Sequence, residues 1–426
     1  MLPCIATLGV FVVTMALVMR RPFGLPEAIW TCLGALVLLS CGLASLTDVR
    51  TVLHAAAEPL YFLAALLLLA ALIERSGFFE WAALGAARLA GGNGKALYRN
   101  VFILGGAITA ILSLDTTAVI LTPIVVALVR RLELPSRPFI FACAFVANMG
   151  SLALPVSNLT NLLFVSAFEL PFAEFALRLA LPNLVALATN YWLFSRLFRE
   201  QVPQKFALEE LPPGRSVVPH AGFFACSVGV LGGVCVGYFA APLFGLAPYL
   251  VGFAGAALLL FAGLITRRVG VTFVRDIPWS IFPFIIGLFV IVQAVEALAP
   301  AGAAAALMAG LPSSPWLSIP TTALIAGLTS NLVNNLPAAL LARDALQAGH
   351  APLPTIYGAL LGTNLGPNVL VIGSLATMLV LTRARETGDA PSNADVFWIG
   401  LRVTPIVLSA ASLALALSFL LPWGQP

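Results

Sequence analysis

The stretch that decides the fold lies in the first half of the chain, where residues 101–129 read VFILGGAITAILSLDTTAVILTPIVVALV. As one straight helix it would be about 44 Å long, well beyond the roughly 30 Å of a bilayer core. Its centre is polar, at Ser113, Asp115, Thr116 and Thr117. We therefore predict a re-entrant hairpin over 101–129, which enters the membrane, turns and leaves on the same side. Such backbone is tolerated only where it lines a cavity inside protein.

The whole chain has the composition of a membrane protein. Hydrophobic residues make up 60% of its 426 positions and charged residues only 9%, whereas the surface of a water-soluble protein needs many more charges. Apolar runs recur from Leu2 to Leu421, so no soluble catalytic domain has room and an extramembrane enzyme is excluded. The net charge of +4 reflects membrane topology, because Lys and Arg favour cytoplasmic loops. It gives no reason to expect nucleic-acid binding.

Three other long apolar segments are interrupted in the same way. Residues 317–342 carry Asn334 and Asn335, which predicts a second hairpin. Residues 139–168 and 357–382 are interrupted by Gly, Pro, Asn and Ser, which predicts two broken helices. Unwound backbone leaves amide and carbonyl groups that need partners, so these interruptions would form a polar cage in the middle of the membrane.

The interruptions repeat at a constant offset of 216 residues, which aligns Asp115 with Asn331 and Asn148 with Asn364. The chain therefore contains an internal duplication. We predict a first repeat over residues 1–198, a cytoplasmic linker over 199–219 and a second repeat over 220–426. Each repeat would have five transmembrane helices and one hairpin, in opposite orientations. Inverted repeats with discontinuous helices at the membrane midplane are the architecture of secondary transporters.

The distribution of basic residues selects this topology. With both segments counted as hairpins, 18 of the 22 Lys and Arg residues fall on one face. Only Arg50, Arg178 and Arg343 fall opposite, and Arg402 lies near the start of the last span. By the positive-inside rule the rich face is cytoplasmic. The fold class is thus an all-α polytopic membrane protein with ten spans and two hairpins, and both termini are expected outside a bacterial inner membrane.

Polar residues at the interruptions are the candidate ligands for a small polar substrate. They are Asp115, Thr116, Thr117, Asn148, Ser157, Asn158, Asn161, Asn334, Asn335, Asn364, Gly373, Ser374 and Thr377. Asp115 is the only acidic residue deep in a predicted membrane segment, and an intramembrane carboxylate indicates function. Two plainer interpretations stay open: Asp115 caps the outgoing half-helix of its hairpin, and the amides serve only to satisfy backbone groups.

The cysteines show no pattern of a metal or disulfide site. Cys4, Cys32, Cys41, Cys143, Cys226 and Cys235 lie singly inside apolar runs, without the close spacing of a zinc site or a disulfide framework. We interpret them as small packing residues. No metal or other cofactor is expected.

The same interruptions carry a family resemblance that covers almost the whole chain. The most specific stretches are SGFFEWAAL at 76–84, ILTPIV at 120–125, VSNL at 156–159, NNLP at 334–337, LGP at 365–367 and IGSLAT at 372–377. In this set and order the chain resembles the arsenical pump membrane proteins, the ArsB-type exporters of arsenite and antimonite within the wider ion transporter superfamily.

The resemblance implies export of As(OH)3 or Sb(OH)3 in exchange for protons, in some members with a peripheral arsenite-stimulated ATPase. It places the hairpin acid of the family on Asp115 and its paired asparagines on Asn334 and Asn335. The residues themselves agree with a neutral substrate, since no Arg or Lys lies near either hairpin tip. Two alternatives stay open: a sodium-coupled organic-anion carrier of the same superfamily, and the membrane subunit of an arsenite-translocating ATPase.

Overall fold

The computed structural model describes residues 2–298, 303, 306, 310–386, 388 and 390–420. This part of the chain is almost entirely helical, and it contains no β-strand beyond one isolated bridge between Asn93 and Lys205. Its longer α-helices are Leu2–Arg20, Glu27–Ser40, Leu46–Glu74, Phe78–Leu89, Gly94–Ile111, Thr122–Arg131, Ser136–Met149, Leu159–Ala167, Phe172–Leu197, Ala221–Ala240, Pro248–Ile265, Ile281–Glu296, Pro315–Val333, Asn335–Ala348, Leu353–Leu365, Leu375–Glu386 and Asn393–Ser418. Of the predicted second repeat, residues 299–302, 304, 305, 307–309, 387, 389 and 421–426 lie outside this description.

Most of these helices are apolar enough for a bilayer. Within the described ranges, six have the length and hydropathy of a membrane span: Leu46–Glu74, Phe172–Leu197, Ala221–Phe244, Pro248–Ile265, Pro315–Val333 and Asn393–Ser418. Three shorter helices are apolar as well: Pro3–Val18, Glu27–Ser40 and Ile281–Glu296. The chain is thus a multi-pass membrane protein. The ten-span arrangement stays a prediction, because it assigns Pro315–Val333 to a hairpin and counts each broken helix as one span.

The segment predicted as the first hairpin is interrupted at its polar centre. Helix Gly94–Ile111 ends there, and the chain restarts with the single turn Leu114–Thr116 and the π-helical turn Thr117–Leu121, which leads into Thr122–Arg131. The hydroxyl of Ser113 accepts a hydrogen bond from the backbone N–H of Thr116 at 3.1 Å, which satisfies one of the open donors of the new helix. We call Thr122–Arg131 the return arm.

The segment predicted as the second hairpin has a sharper turn. Helix Pro315–Val333 stops at Asn334, and Asn335–Ala348 starts at the next residue and packs against it. The side chain of Asn334 accepts from the backbone N–H of Leu336 at 3.3 Å and so caps the second helix. One asparagine therefore both ends one helix and begins the next.

The two segments predicted as broken helices are unwound in the middle. In the first, Ser136–Met149 and Leu159–Ala167 are separated by the 3-10 turns Gly150–Leu152 and Pro155–Ser157. In the second, Leu353–Leu365 and Leu375–Glu386 are separated by Gly366–Asn368 and Val371–Gly373. Proline removes a backbone donor and glycine weakens helix, so the chain unwinds where these residues cluster.

The predicted linker folds back onto the first half of the chain. The backbone N–H of Phe206 donates to the carbonyl oxygen of Gly92 at 2.9 Å. Nε of Arg131, the last residue of the return arm, donates to the carbonyl oxygen of Glu210 at 2.8 Å. The predicted linker therefore contacts the loop before helix Gly94–Ile111 and the end of the return arm.

Glycines bring the backbones of helices Pro315–Val333 and Leu353–Leu365 into direct contact. A Cβ atom added at Gly362 would overlap the carbonyl oxygen of Ala323, and one added at Gly366 would overlap the Cα atom of Gly327. Small residues allow this approach, which supplies the packing energy that the hydrophobic effect does not provide between helices in lipid.

We expect Gly362→Val to lower the free energy of unfolding by about 3 kcal/mol, because the added atoms must push two backbones apart. The matched control is Gly229→Val in helix Ala221–Ala240, where an added Cβ meets no atom within 4 Å. Thermal unfolding of the purified proteins in detergent measures the effect. Equal melting temperatures for the two variants would show that the glycine contact is not close.

Candidate functional site

A small cavity lies where the two hairpin turns meet the first broken helix. Its volume is about 40 Å³, room for about three water-sized groups. The polar part of its lining consists of Asp115, Asn158, Thr160, Asn334 and Asn335. Residues from distant parts of the chain thus share one cavity, which we call the tip cavity.

The remaining lining of the tip cavity is apolar. Leu63 reaches it from Leu46–Glu74, and Phe284 and Ile285 reach it from Ile281–Glu296. Among the described residues, no Lys or Arg lines it. An anion would meet no cation here and would lose hydration against hydrocarbon. The described lining thus combines amide, hydroxyl and carboxylate side chains with hydrocarbon.

A larger cavity of about 590 Å³ lies beside the tip cavity. This vestibule is lined by Asp115 and Thr116, and by Glu74, Arg75, Arg383 and Glu386 at the ends of their helices. These helix ends belong to the face predicted to be cytoplasmic. In the described part of the chain, Asp115 alone lines both cavities. Asp115 therefore lies where the two cavities adjoin.

Behind the polar lining, buried hydrogen bonds join the two broken helices. Nδ2 of Asn158 donates to Oδ1 of Asn364 at 2.6 Å, and Oγ of Ser374 donates to Oδ1 of Asn148 at 2.7 Å. The internal offset aligns Asn158 with Ser374 and Asn148 with Asn364, so the two bonds correspond to each other. All four residues are at most 4% exposed.

Further hydrogen bonds of side-chain amides extend this network. Nδ2 of Asn364 donates to Oδ1 of Asn161 at 3.0 Å. Nδ2 of Asn148 donates to Oδ1 of Asn368 at 2.8 Å and to Oγ1 of Thr377 at 3.1 Å. In a low dielectric such bonds are strong, and a missing partner is costly. The network therefore holds the two unwound segments together as one unit.

The structure separates the predicted site residues into two groups. Asp115, Thr116, Asn158, Asn334 and Asn335 line the tip cavity or the vestibule. The network behind the cavity contains Asn148, Asn161, Asn364, Ser374 and Thr377. The other three residues lie elsewhere: Thr117 shares a hydrogen bond with Thr109 at 2.7 Å, and Ser157 donates to the carbonyl oxygen of Ala110 at 2.7 Å. Gly373 packs against Pro367 and Asn331. Asn158 belongs to both groups.

The aligned residues Asp115 and Asn331 are used differently. Nδ2 of Asn331 donates to the carbonyl oxygens of Gly327 and Gly366, each at 2.8 Å, and its Oδ1 accepts from the backbone N–H of Leu370 at 2.9 Å. This amide ties the second hairpin to the second broken helix. Asp115 lines two cavities instead, and of the two aligned residues it alone is an acid.

The turn of the second hairpin is strained. Asn334 has φ 79° and ψ 154°, a region that glycine occupies almost alone and that costs other residues about 1–3 kcal/mol. Nδ2 of Asn334 donates to the carbonyl oxygen of Ile372 at 2.9 Å and so holds the turn against the second broken helix. Such strain is typical of functional sites.

Sequence reasoning did not select Thr160 or the apolar side of the tip cavity. Thr160 had a signal, because it follows the helix cap Asn158, whose Oδ1 accepts its backbone N–H at 3.1 Å. Leu63, Phe284 and Ile285 had none, since they lie in uninterrupted apolar helices. A metal centre is not in evidence: the described ranges contain no group of three or more His, Cys, Asp or Glu residues that would hold an ion.

Comparison with known proteins identifies the family. Residues 6–423 match the family model described as arsenical pump membrane protein. The chain belongs to this family. A relative from Escherichia coli named arsenical pump membrane protein is 28% identical over 96% of this chain and 97% of its own length. A relative of the same name from Escherichia coli strain K12 is 29% identical over 97% of this chain and 99% of its own length. The protein is accordingly a transporter and not an enzyme.

A solved structure supports the fold. The crystal structure of the Alcanivorax borkumensis YdaH transporter, which is described as having an unusual topology, matches this chain with a TM-score of 0.57. The match covers 93% of this chain and 99% of that chain at 14% sequence identity. At this identity the likeness concerns the course of the backbone alone.

We expect Asn364→Ala to lower the free energy of unfolding by about 3 kcal/mol, because it removes the buried hydrogen bonds from Nδ2 of Asn158 and to Oδ1 of Asn161. Asn335→Ala is the control, since Asn335 lines the tip cavity and takes no part in the network. Its melting temperature in detergent should stay near that of the wild type. If both variants have the same melting temperature, the network contributes no more to stability than Asn335 does.

Proposed function

We propose that this protein exports arsenite and antimonite from the cell as the neutral hydroxides As(OH)3 and Sb(OH)3, in exchange for protons. The observation that carries the proposal is the tip cavity, which presents amides, one hydroxyl and one carboxylate opposite an apolar surface and has no cationic side chain in the described structure. The substrate class comes from the relatives that are named arsenical pump membrane proteins.

The polarity of such a hydroxide agrees with the lining of the tip cavity. The molecule is a flat pyramid with three hydroxyl groups on one side and the arsenic lone pair on the other. Its hydroxyls would exchange water for the side chains of Asn158, Asn334 and Asn335, and its lone-pair side would face Leu63 and Phe284. Each exchange of a hydrogen bond gains only about 1 kcal/mol, so binding would be weak and release fast.

Asp115 is the residue that we assign to the proton. It is the only acidic residue of the tip cavity among the described residues, and it also borders the vestibule. Because the substrate is neutral, its binding does not require the charge of the carboxylate. The protonated and ionised forms would instead favour different states of the hairpin, which couples proton movement to transport.

Two other functions of the same superfamily are less well supported. A sodium-coupled carrier of organic anions would have to hold a charged substrate, and the described lining of the tip cavity contains no Lys or Arg to pair with it. The membrane subunit of an arsenite-translocating ATPase would need ATP for transport. Arsenite uptake into everted membrane vesicles that requires a proton gradient, but neither sodium nor ATP, would support proton exchange over both.

The substitution Asp115→Asn tests the coupling role. We expect proton-driven arsenite flux in vesicles to fall by at least about tenfold, while purified protein retains much of its arsenite binding. The amide keeps an acceptor oxygen, so a side chain that only caps a helix would tolerate the change.

Glu209→Gln in the exposed part of the linker is the matched control and should pump at the wild-type rate. Protein levels in the vesicles must be equal. If Asp115→Asn shows wild-type flux with an unchanged pH dependence, Asp115 is not the proton site. Glu58 and Glu74 would then be the next acids to test.

The cysteines should be dispensable, although trivalent arsenic binds thiols. Among the described residues, no cysteine lines the tip cavity or the vestibule, and Cys143 is buried in helix Ser136–Met149. Capture by several thiolates would oppose release. A cysteine-free variant should therefore export arsenite at a rate close to that of the wild type in the same vesicle assay. Loss of export in a variant that inserts and folds normally would contradict this.

A further inference from the structure

A groove of about 410 Å³ lies outside the transport site, on the face predicted to be cytoplasmic. Helix Phe78–Leu89 forms one side, the return arm Thr122–Arg131 forms the other, and Pro212 of the linker closes one end. It is separate from the tip cavity and does not share any lining residue with it. The proposed transport cycle does not use it.

The lining of this groove combines hydrocarbon with two opposite charges. Leu84, Ile124 and Leu128 contribute apolar surface, and Glu80 and Arg131 contribute one carboxylate and one guanidinium group. The described residues include no ion pair between these two side chains. Arg131 uses Nε for the carbonyl oxygen of Glu210, and its terminal nitrogens have no acceptor in the described chain. The groove thus offers an anionic and a cationic group beside an aliphatic surface.

Exposed apolar and aromatic side chains near the groove indicate its depth in the membrane. Trp81, on the same helix as Glu80, is 42% exposed and its ring packs edge-on against that of Phe224 at 5.2 Å. Leu89 at the end of this helix is 82% exposed. Tryptophan and amphipathic helices with exposed apolar residues favour the boundary between water and lipid. The charged groups of the groove would therefore lie at the level of lipid headgroups.

We propose that this groove binds a zwitterionic phospholipid of the phosphatidylethanolamine class. Its ammonium group would donate hydrogen bonds to Glu80, its phosphate would accept from Arg131, and its acyl chains would pack on Leu84, Ile124 and Leu128. A phosphatidylcholine has no N–H group to donate to Glu80. A phosphatidylglycerol has a phosphate for Arg131 but no ammonium group to pair with Glu80.

An occupied groove would brace the first hairpin. Pro123 of the return arm lines both the groove and the vestibule that leads to Asp115. A lipid in the groove would therefore lie directly behind the arm. Its binding is independent of the transported substrate, so the proposal does not rest on the proposed function.

The test is lipid retention by the purified full-length protein. Protein is reconstituted in nanodiscs of phosphatidylcholine alone or with equal parts of phosphatidylethanolamine or phosphatidylglycerol, and the lipid that stays bound is identified by native mass spectrometry. We expect the wild type to retain phosphatidylethanolamine in preference to the other two. Glu80→Gln should lower this preference by about threefold, and Arg131→Gln should lower lipid retention by about the same factor, which is the size expected for an exposed charge pair.

Matched controls are Glu209→Gln and Arg199→Gln, exposed residues outside the groove, which should retain the lipid like the wild type. Arg131→Lys should recover part of the retention, because it keeps the charge but loses the Nε bond to Glu210. Unchanged preference in Glu80→Gln overturns the proposal, as does retention of phosphatidylglycerol above phosphatidylethanolamine. Equal binding of soluble phosphoethanolamine without lipid would overturn the assignment to a phospholipid.

Discussion

Backbone that is unwound inside a membrane must find all its hydrogen-bond partners within the protein, and this constraint shapes the centre of the molecule. Both broken helices open at Gly, Pro and Asn, and no lipid can satisfy the freed groups. The asparagines meet the need. Nδ2 of Asn161 donates to the carbonyl oxygens of Ser151 and Leu154 at 2.7 and 3.0 Å, and the network of side chains then ties one broken helix to the other.

The tip cavity, which we propose as the transport site, is lined by polar side chains that lie beside this network. Many of the polar residues at the interruptions hydrogen-bond within the network. In the described part of the chain, the polar residues that line the tip cavity lie at the two predicted hairpin turns and at the start of Leu159–Ala167. The same hydrogen bonds that join the broken helices also position Asn158 at the cavity wall.

The two segments predicted as hairpins differ at the aligned positions Asp115 and Asn331. Asn331 anchors the second hairpin to the second broken helix through three backbone bonds, whereas Asp115 faces the tip cavity and the vestibule. A permanently neutral amide suits a fixed contact. A group that gains and loses a proton suits a part that changes state, so the proposed division places coupling in the first hairpin and structural support in the second.

The sequence by itself determined the membrane class, the positions of the four interruptions, the alignment of Asn148 with Asn364 and the choice of Asp115. These follow from local causes: apolar composition, helix-weakening residues and an acid in an apolar segment. Only the tertiary structure decided which asparagines line the cavity and which support the backbone, and it supplied the apolar side at Leu63 and Phe284. The physical reason is that such roles depend on contacts between segments far apart in the chain. In a membrane protein, apolar residues are used alike against lipid, against another helix and at a cavity, so the residue type does not tell which of these it contacts.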